Sequence, residues 1–146
     1  MELHEPELRD VPVTAVLAAL ADDVRLRIVR ALADGAGERA CGTFELDVSK
    51  ATRSHHLKVL REAGLTRTRV AGTTRYVRLR RDELDRLYPG LLDAVLAALV
   101  TACRALADEL RPFIPGAAEH VTRRVTPVDG TLPETEPLFA RLQEQR

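Results

Sequence analysis

Apolar residues recur at helical spacing in several stretches of the chain and at strand spacing in one. After Asp10, Val13, Val16, Leu17 and Leu20 fall on one side of a short amphipathic helix, with Pro12 accommodated in its first turn. Asp22 then caps a second helix. Leu26, Val29, Leu32 and Ala33 point inward there, Arg25, Arg27 and Arg30 form a solvated face, and Asp34-Gly35 ends the run. Residues 38–47 are irregular, because Gly42 and Thr43 leave space for about one turn around Phe44-Glu45-Leu46. Phe44, Leu46 and Val48 are expected to pack under the helix that follows.

That next helix has both ends marked. The Ser49 hydroxyl can accept a first-turn N–H, and Gly64 can close the last turn in the left-handed region. Leu57, Leu60 and Ala63 line one side, while Lys50, Thr52, Ser54, His55, Lys58 and Arg61 cover much of the rest. Directly afterwards, Leu65 to Val70 and Thr74 to Leu79 flank an Ala71-Gly72-Thr73 turn. Alternation in these β-branched, arginine-rich segments predicts a short hairpin, with Leu65, Tyr76 and Val70 on pleat faces other than those of the arginines.

Arg81 to Tyr88 reads as a short helix broken by Pro89. Over 91–111, Leu92, Leu96, Leu99, Cys103, Leu106 and Leu110 recur at alternating intervals of four and three, an a/d seam beside a second apolar row through Leu91 and Val95. A helix apolar over more than half its girth needs two partners, and a second copy of the chain can supply one. Asp93 and Arg104 leave too short an uncharged run for a membrane span. The prolines of 112–133 predict an irregular tail, with a terminal helix after Pro137 anchored by Leu138, Phe139 and Leu142. The expected organisation is an acidic arm at 1–10, one folded domain at 11–111 and a proline-rich tail at 112–146.

Composition changes this picture little: 146 residues, 45% of them apolar, with no Trp, make a single domain's length and an aliphatic core. Charge changes it more. The chain has 22 basic and 22 acidic residues, yet residues 49–81 hold ten Lys and Arg against Glu62 alone, a net of +9 that leaves −9 elsewhere. Such segregation suits phosphate binding, since each neutralised phosphate releases counterions and the acidic remainder limits non-specific adhesion. The acidic start lacks the basic and apolar regions of a secretion signal, and two cysteines form no disulfide framework, so a cytoplasmic, reduced protein is expected. No phosphate loop, nucleophile elbow or His-Glu ligand motif marks an enzyme, and no cofactor is implied.

A polar-faced helix followed at once by a basic hairpin is the outline of a winged helix-turn-helix, a mainly α fold with a small β-hairpin. In it the helix enters the major groove and the hairpin lies over the adjacent backbone. The run Leu20-Ala-Asp-Asp-Val-Arg-Leu-Arg-Ile-Val29, the run Ser54-His-His-Leu-Lys-Val-Leu-Arg-Glu-Ala-Gly-Leu65 and the Arg/Gly/Tyr hairpin resemble the ArsR-type winged-helix repressors, over roughly residues 11–110. The resemblance implies a homodimer joined through its first and long last helices and bound to an inverted-repeat operator. It implies that Ser49, Lys50, Thr52, Ser54 and His55 match positions that approach bases. Arg53 stands where the family usually has an aliphatic residue.

The expected DNA-binding set is therefore Ser49, Lys50, Thr52, Arg53, Ser54, His55 and Lys58 of the helix, with Arg69, Thr73 and Arg75 of the wing. The expected dimer interface is Val13, Val16 and Leu17 with Leu92, Leu96, Leu99, Cys103 and Leu106. Metal sensing, common in the family, is not expected. The paired cysteines beneath the recognition helix reduce to Cys41, residues 91–111 carry no histidine, and adjacent His55 and His56 point about 100° apart. A thiol switch through Cys41 and Cys103 is an alternative, although the family's first redox cysteine matches Arg30 here. A winged helix that binds protein is another, and a small-molecule effector is left open.

Overall fold

The structure, a computed structural model, describes residues 3–35, 37–110 and 112, and divides into two compact units, the first running to Leu92 and the second starting at Asp93. The first unit carries the elements that place the candidate site. A 3-10 turn at Leu8–Asp10 leads into α1 (Val13–Leu20) and α2 (Asp23–Ala33). Two strand residues, β1 (Arg39–Ala40), and a second 3-10 turn at Cys41–Thr43 precede α3 (Lys50–Glu62). The hairpin β2 (Thr66–Ala71) and β3 (Thr74–Leu79) follows, then α4 (Arg81–Leu87) and α5 (Leu91–Leu110).

Local chemistry explains the boundaries. Asp22 Oδ1 accepts the Arg25 N–H at 2.9 Å and so caps α2, while the Ser49 hydroxyl accepts the Thr52 N–H at 3.1 Å and caps α3. At the other end of α3 the Leu65 N–H bonds the Leu60 carbonyl and the Gly64 N–H bonds that of Arg61, the paired closure of a Schellman motif. Gly64 holds φ +73°, and a Cβ there would stand 2.8 Å from Leu8 Cδ1. Two separate requirements thus select glycine at this corner.

The core is aliphatic: Leu8, Val16, Ile28, Val29, Leu60, Leu65 and Val77 are fully buried. On α1, Val16, Ala19 and Leu20 are buried, whereas Val13 and Leu17 are 41% and 43% exposed. The single four-residue face expected there splits in two, because Val13 and Leu17 lie about 90° around the helix from the buried stripe. On α2 the expected solvated face fails at two of its arginines. Arg30 is buried with Nε 2.8 Å from Asp34 Oδ2, and Arg25 turns back to donate to the Ala19 and Ala18 carbonyls in the last turn of α1, where Ala18 also accepts the Ala21 N–H. Arg27 is exposed as expected.

The expected turn around Phe44-Glu45-Leu46 lies earlier, at Cys41–Thr43, and residues 44–46 are non-helical. Phe44 is buried beneath the Arg39 guanidinium, 5.3 Å from ring centroid to Cζ, and Leu46 and Val48 are half-buried. The three strands are antiparallel in the order β1-β3-β2, so the wing gains a third strand that residues 39–40 do not announce. Register corrects the expected pleat. Arg69 pairs with Tyr76 and Arg67 with Arg78, which puts Tyr76 on the same face as those three arginines, and Val77 rather than Tyr76 turns to the core.

The expected acidic arm is moored along this unit. Its His4 carbonyl accepts from Arg61 Nε, its Glu5 carboxylate accepts the Thr68 N–H and its Pro6 carbonyl accepts from Arg80 Nη1 at 2.7 Å. On α5, Leu92, Leu96 and Val100 are buried, Leu99 and Cys103 half-buried and Leu106 exposed. No single helix among the described residues is long and apolar enough to cross a membrane. The expected terminal helix with Leu138, Phe139 and Leu142 lies outside the described residues. Three helices followed by the β2–β3 hairpin, which β1 from before α3 extends to a three-stranded antiparallel sheet, make this a winged helix-turn-helix.

Candidate nucleic-acid interface

The outer surface of α3 follows from its period. Leu57, Leu60 and His56 occupy the inward side, and Lys50, Thr52, Ser54, His55 and Lys58 are exposed. Ser49 and Thr52 are also joined hydroxyl to hydroxyl at 2.8 Å, so the cap fixes both and leaves one hydroxyl proton of the pair to point outward. Lys58 Nζ lies 3.7 Å from Glu62 Oε1, an exposed i,i+4 pair that a phosphate can replace.

Arg53 falls on the inward arc of α3 between Leu57 and Leu60, and its Nη1 donates to the Gly42 carbonyl at 3.0 Å. The start of the helix is thereby tied to the 3-10 turn that stands in for a full supporting helix. His56 is the residue that sequence reasoning left without a role. It is buried, its Nδ1 makes no hydrogen bond among the described residues, and that atom lies 3.6 Å from Asp22 Oδ1.

The wing presents two kinds of arginine. Arg75 and Arg78 are exposed and form no side-chain ion pair or hydrogen bond among the described residues, and Thr73 is exposed at the turn, where Gly72 takes φ +58°. Arg69 is engaged: its Nε lies 3.2 and 3.0 Å from the two Glu38 carboxylate oxygens, its Nη2 lies 2.7 Å from Oε2, and its Cζ stands 5.0 Å from the centroid of Tyr76. Further back, Arg80 is buried and shares Glu83 with Arg67, at 2.6 and 3.2 Å. The hydrogen bond from Arg80 holds the Glu83 carboxyl below the ordinary glutamate range, and that from Arg69 does the same to Glu38.

Folding therefore trims the +9 of residues 49–81. Glu38, Glu83 and Asp85, all outside that segment, pair with Arg69, with Arg67 and Arg80, and with Arg81. Among the described residues, Lys50, Arg53, Arg61, Arg75 and Arg78 have no carboxylate partner, and they lie on α3 and the wing. Glu38 has no signal in the sequence, since its partner is 31 residues away and it takes the pairing of both β1 and β2 with β3 to bring them together.

Of the expected dimer residues, Val16, Leu92 and Leu96 are buried, Leu99 and Cys103 half-buried, and Val13, Leu17 and Leu106 exposed. Cys41 and Cys103 are free thiols, and burial pushes the Cys41 thiol above its ordinary value despite Arg75 and Arg53 nearby. Among the described residues no group of three or more His, Cys, Asp or Glu side chains is placed to hold a metal ion.

Comparison with known proteins agrees with this geometry. Residues 20–69, from the end of α1 into β2, match a helix-turn-helix domain family. Over 82 residues the chain is 42% identical to the uncharacterized HTH-type transcriptional regulator YceK of Bacillus subtilis (strain 168), a match that spans 55% of this chain and 82% of that one. The donor-rich helix, the basic wing and these similarities lead to one conclusion: this chain belongs to the HTH-type transcriptional regulators.

Proposed function

We propose that the protein is an ArsR-type repressor that acts in the cytoplasm as a homodimer on an inverted-repeat operator. The observation that carries this reading is the exposed row Lys50, Ser54, His55 and Lys58 on α3 together with Arg75 and Arg78, wing arginines that have no carboxylate partner among the described residues. Hydroxyl, imidazole and ammonium groups on one helix face suit base edges and phosphates in a major groove. Ser49 and Thr52 would approach the flanking backbone from the helix start, Thr73 and Arg75 would follow the neighbouring phosphates, and Arg53 would contribute by holding the helix entry at Gly42. Dimerisation would join Val13 and Leu17 of α1 with Leu99, Cys103 and Leu106 of α5. It would set two recognition helices about 34 Å apart, one DNA turn.

Selection of bound duplexes from a randomised pool, followed by titration of the selected and a scrambled duplex at several salt concentrations, tests the reading. Ser54→Ala or His55→Ala is expected to weaken the selected duplex by about 1–3 kcal/mol and the scrambled one hardly at all. Arg75→Ala is expected to weaken both alike and to lower the salt slope by about one. Failure to enrich any sequence, or equal loss on both duplexes from Ser54→Ala, removes the assignment of α3 as the reader.

A further inference from the structure

Arg69 is a wing arginine whose guanidinium is already taken. Its Nε and Nη2 edge faces the Glu38 carboxylate at 2.7 to 3.2 Å, and its plane lies over the Tyr76 ring. This is the two-pronged geometry with which arginine also grips a phosphate. The pair is not a core element, because the Arg69 and Glu38 side chains are 57% and 32% exposed, and an ion pair so open to water does little for folding. Glu38 also faces Arg78 electrostatically, so one carboxylate addresses two of the cations on that face of the wing. Arg75, on the opposite pleat face of the same hairpin, has no such partner among the described residues.

From this contrast we infer that Glu38 is a built-in phosphate substitute that withholds Arg69 from duplex DNA and thereby holds down binding that is independent of sequence. The inference rests on the DNA-binding reading above and adds a residue that opposes it. A phosphate approaching Arg69 must either displace the carboxylate or sit beside it, and both are unfavourable, the first by the lost fork and the second by like-charge repulsion. A cation neutralised within the protein also contributes little to counterion release, so Arg69 should be nearly silent in the salt dependence of the native protein. Because phosphate contacts carry no sequence information, the effect falls on operator and non-operator duplexes alike. Glu38 thus limits the pool of protein held on the excess of non-operator DNA. The hydrogen bond from Arg69 keeps this carboxyl below the ordinary glutamate range, so it is charged wherever the protein meets DNA near neutral pH.

The test is a double-mutant cycle on the full chain, with Glu38→Gln, Arg69→Ala and the double variant, titrated with a scrambled duplex across a salt series. Glu38→Gln is expected to tighten binding about two- to fivefold, the range of an exposed ion pair, and to steepen the salt slope by nearly one. Arg69→Ala alone should change little, and in the double variant it should abolish the gain. Thermal melts check that each variant is folded, and Glu38→Ala repeats the charge removal with a different side chain. Equal affinity and slope for the native protein and both Glu38 variants overturns the inference while leaving the DNA-binding reading standing. A large loss from Arg69→Ala in the native background overturns it too. A native protein that shows no salt-dependent duplex binding at all overturns both.

Discussion

The Nδ1 atom of His56 stands 3.6 Å from Oδ1 of Asp22, the same oxygen that accepts the Arg25 N–H. One carboxylate therefore caps the start of α2 and stands beside the inward side of α3. Asp22→Ala is expected to cost about 1–2 kcal/mol through the lost cap, and Asp22→Asn to retain most of it, since the amide oxygen can still accept the Arg25 N–H. Urea midpoints of the two variants would measure this. An alanine variant as stable as the native chain would show that the cap is not needed.

Glycine is required at Gly64 and not at Gly42. Gly64→Ala forces a side chain into φ +73° and against Leu8, so a loss of about 1–3 kcal/mol is expected. Gly42 has an ordinary φ and open space around its Cα, and Gly42→Ala should stay within about 0.5 kcal/mol of the native protein. The same denaturation curves would separate them, and equal behaviour would contradict the packing of the arm against this corner.

Acid should loosen the first unit through Glu83 and Asp22. Both carboxyls are held below their ordinary values, Glu83 chiefly by the Arg80 hydrogen bond and Asp22 chiefly by the Arg25 N–H. A depressed folded-state value means stability that is fully present above the ordinary value, 4.5 for glutamate, and that drains away as pH falls through the folded one. Melting temperatures are therefore expected to be flat with respect to these two groups near neutrality and to fall below about pH 4.5. Glu83→Gln should lower the neutral value and flatten that fall. An unchanged acid limb would remove Glu83 as its source.

Leu17 offers a cleaner probe of the proposed dimer than the buried end of the seam. It is 43% exposed, so Leu17→Asp leaves the chain's own core intact. The variant is expected to stay folded, to sediment as a monomer and to bind a two-half-site operator weakly. A folded variant that sediments as a dimer would exclude α1 from the interface.

Much of this architecture was legible because its signals are local. Asp22, Ser49 and Gly64 each sit at a helix end that short-range chemistry dictates, and the Gly72 turn fixes the hairpin register. The inward turn of Arg30 and the placement of Tyr76 were not legible. Residue type argued for solvent at Arg30, and for Tyr76 the pleat phase depends on which residue pairs with which. The candidate face of α3 could be read from its period, but the state of its neighbours could not. Whether an arginine is free or paired depends on acids such as Glu38 and Glu83 that folding brings from elsewhere in the chain.

The Glu5 carboxylate on the Thr68 N–H has a bearing on solubility. β2 is an outer strand of the sheet, and an unpaired outer N–H is where a strand from another molecule can add. Glu5 fills that position with a group that cannot propagate a ladder, and it brings a negative charge to the rim. The arm thus works as a guard on an open sheet edge, and its removal would leave the wing a template for self-association.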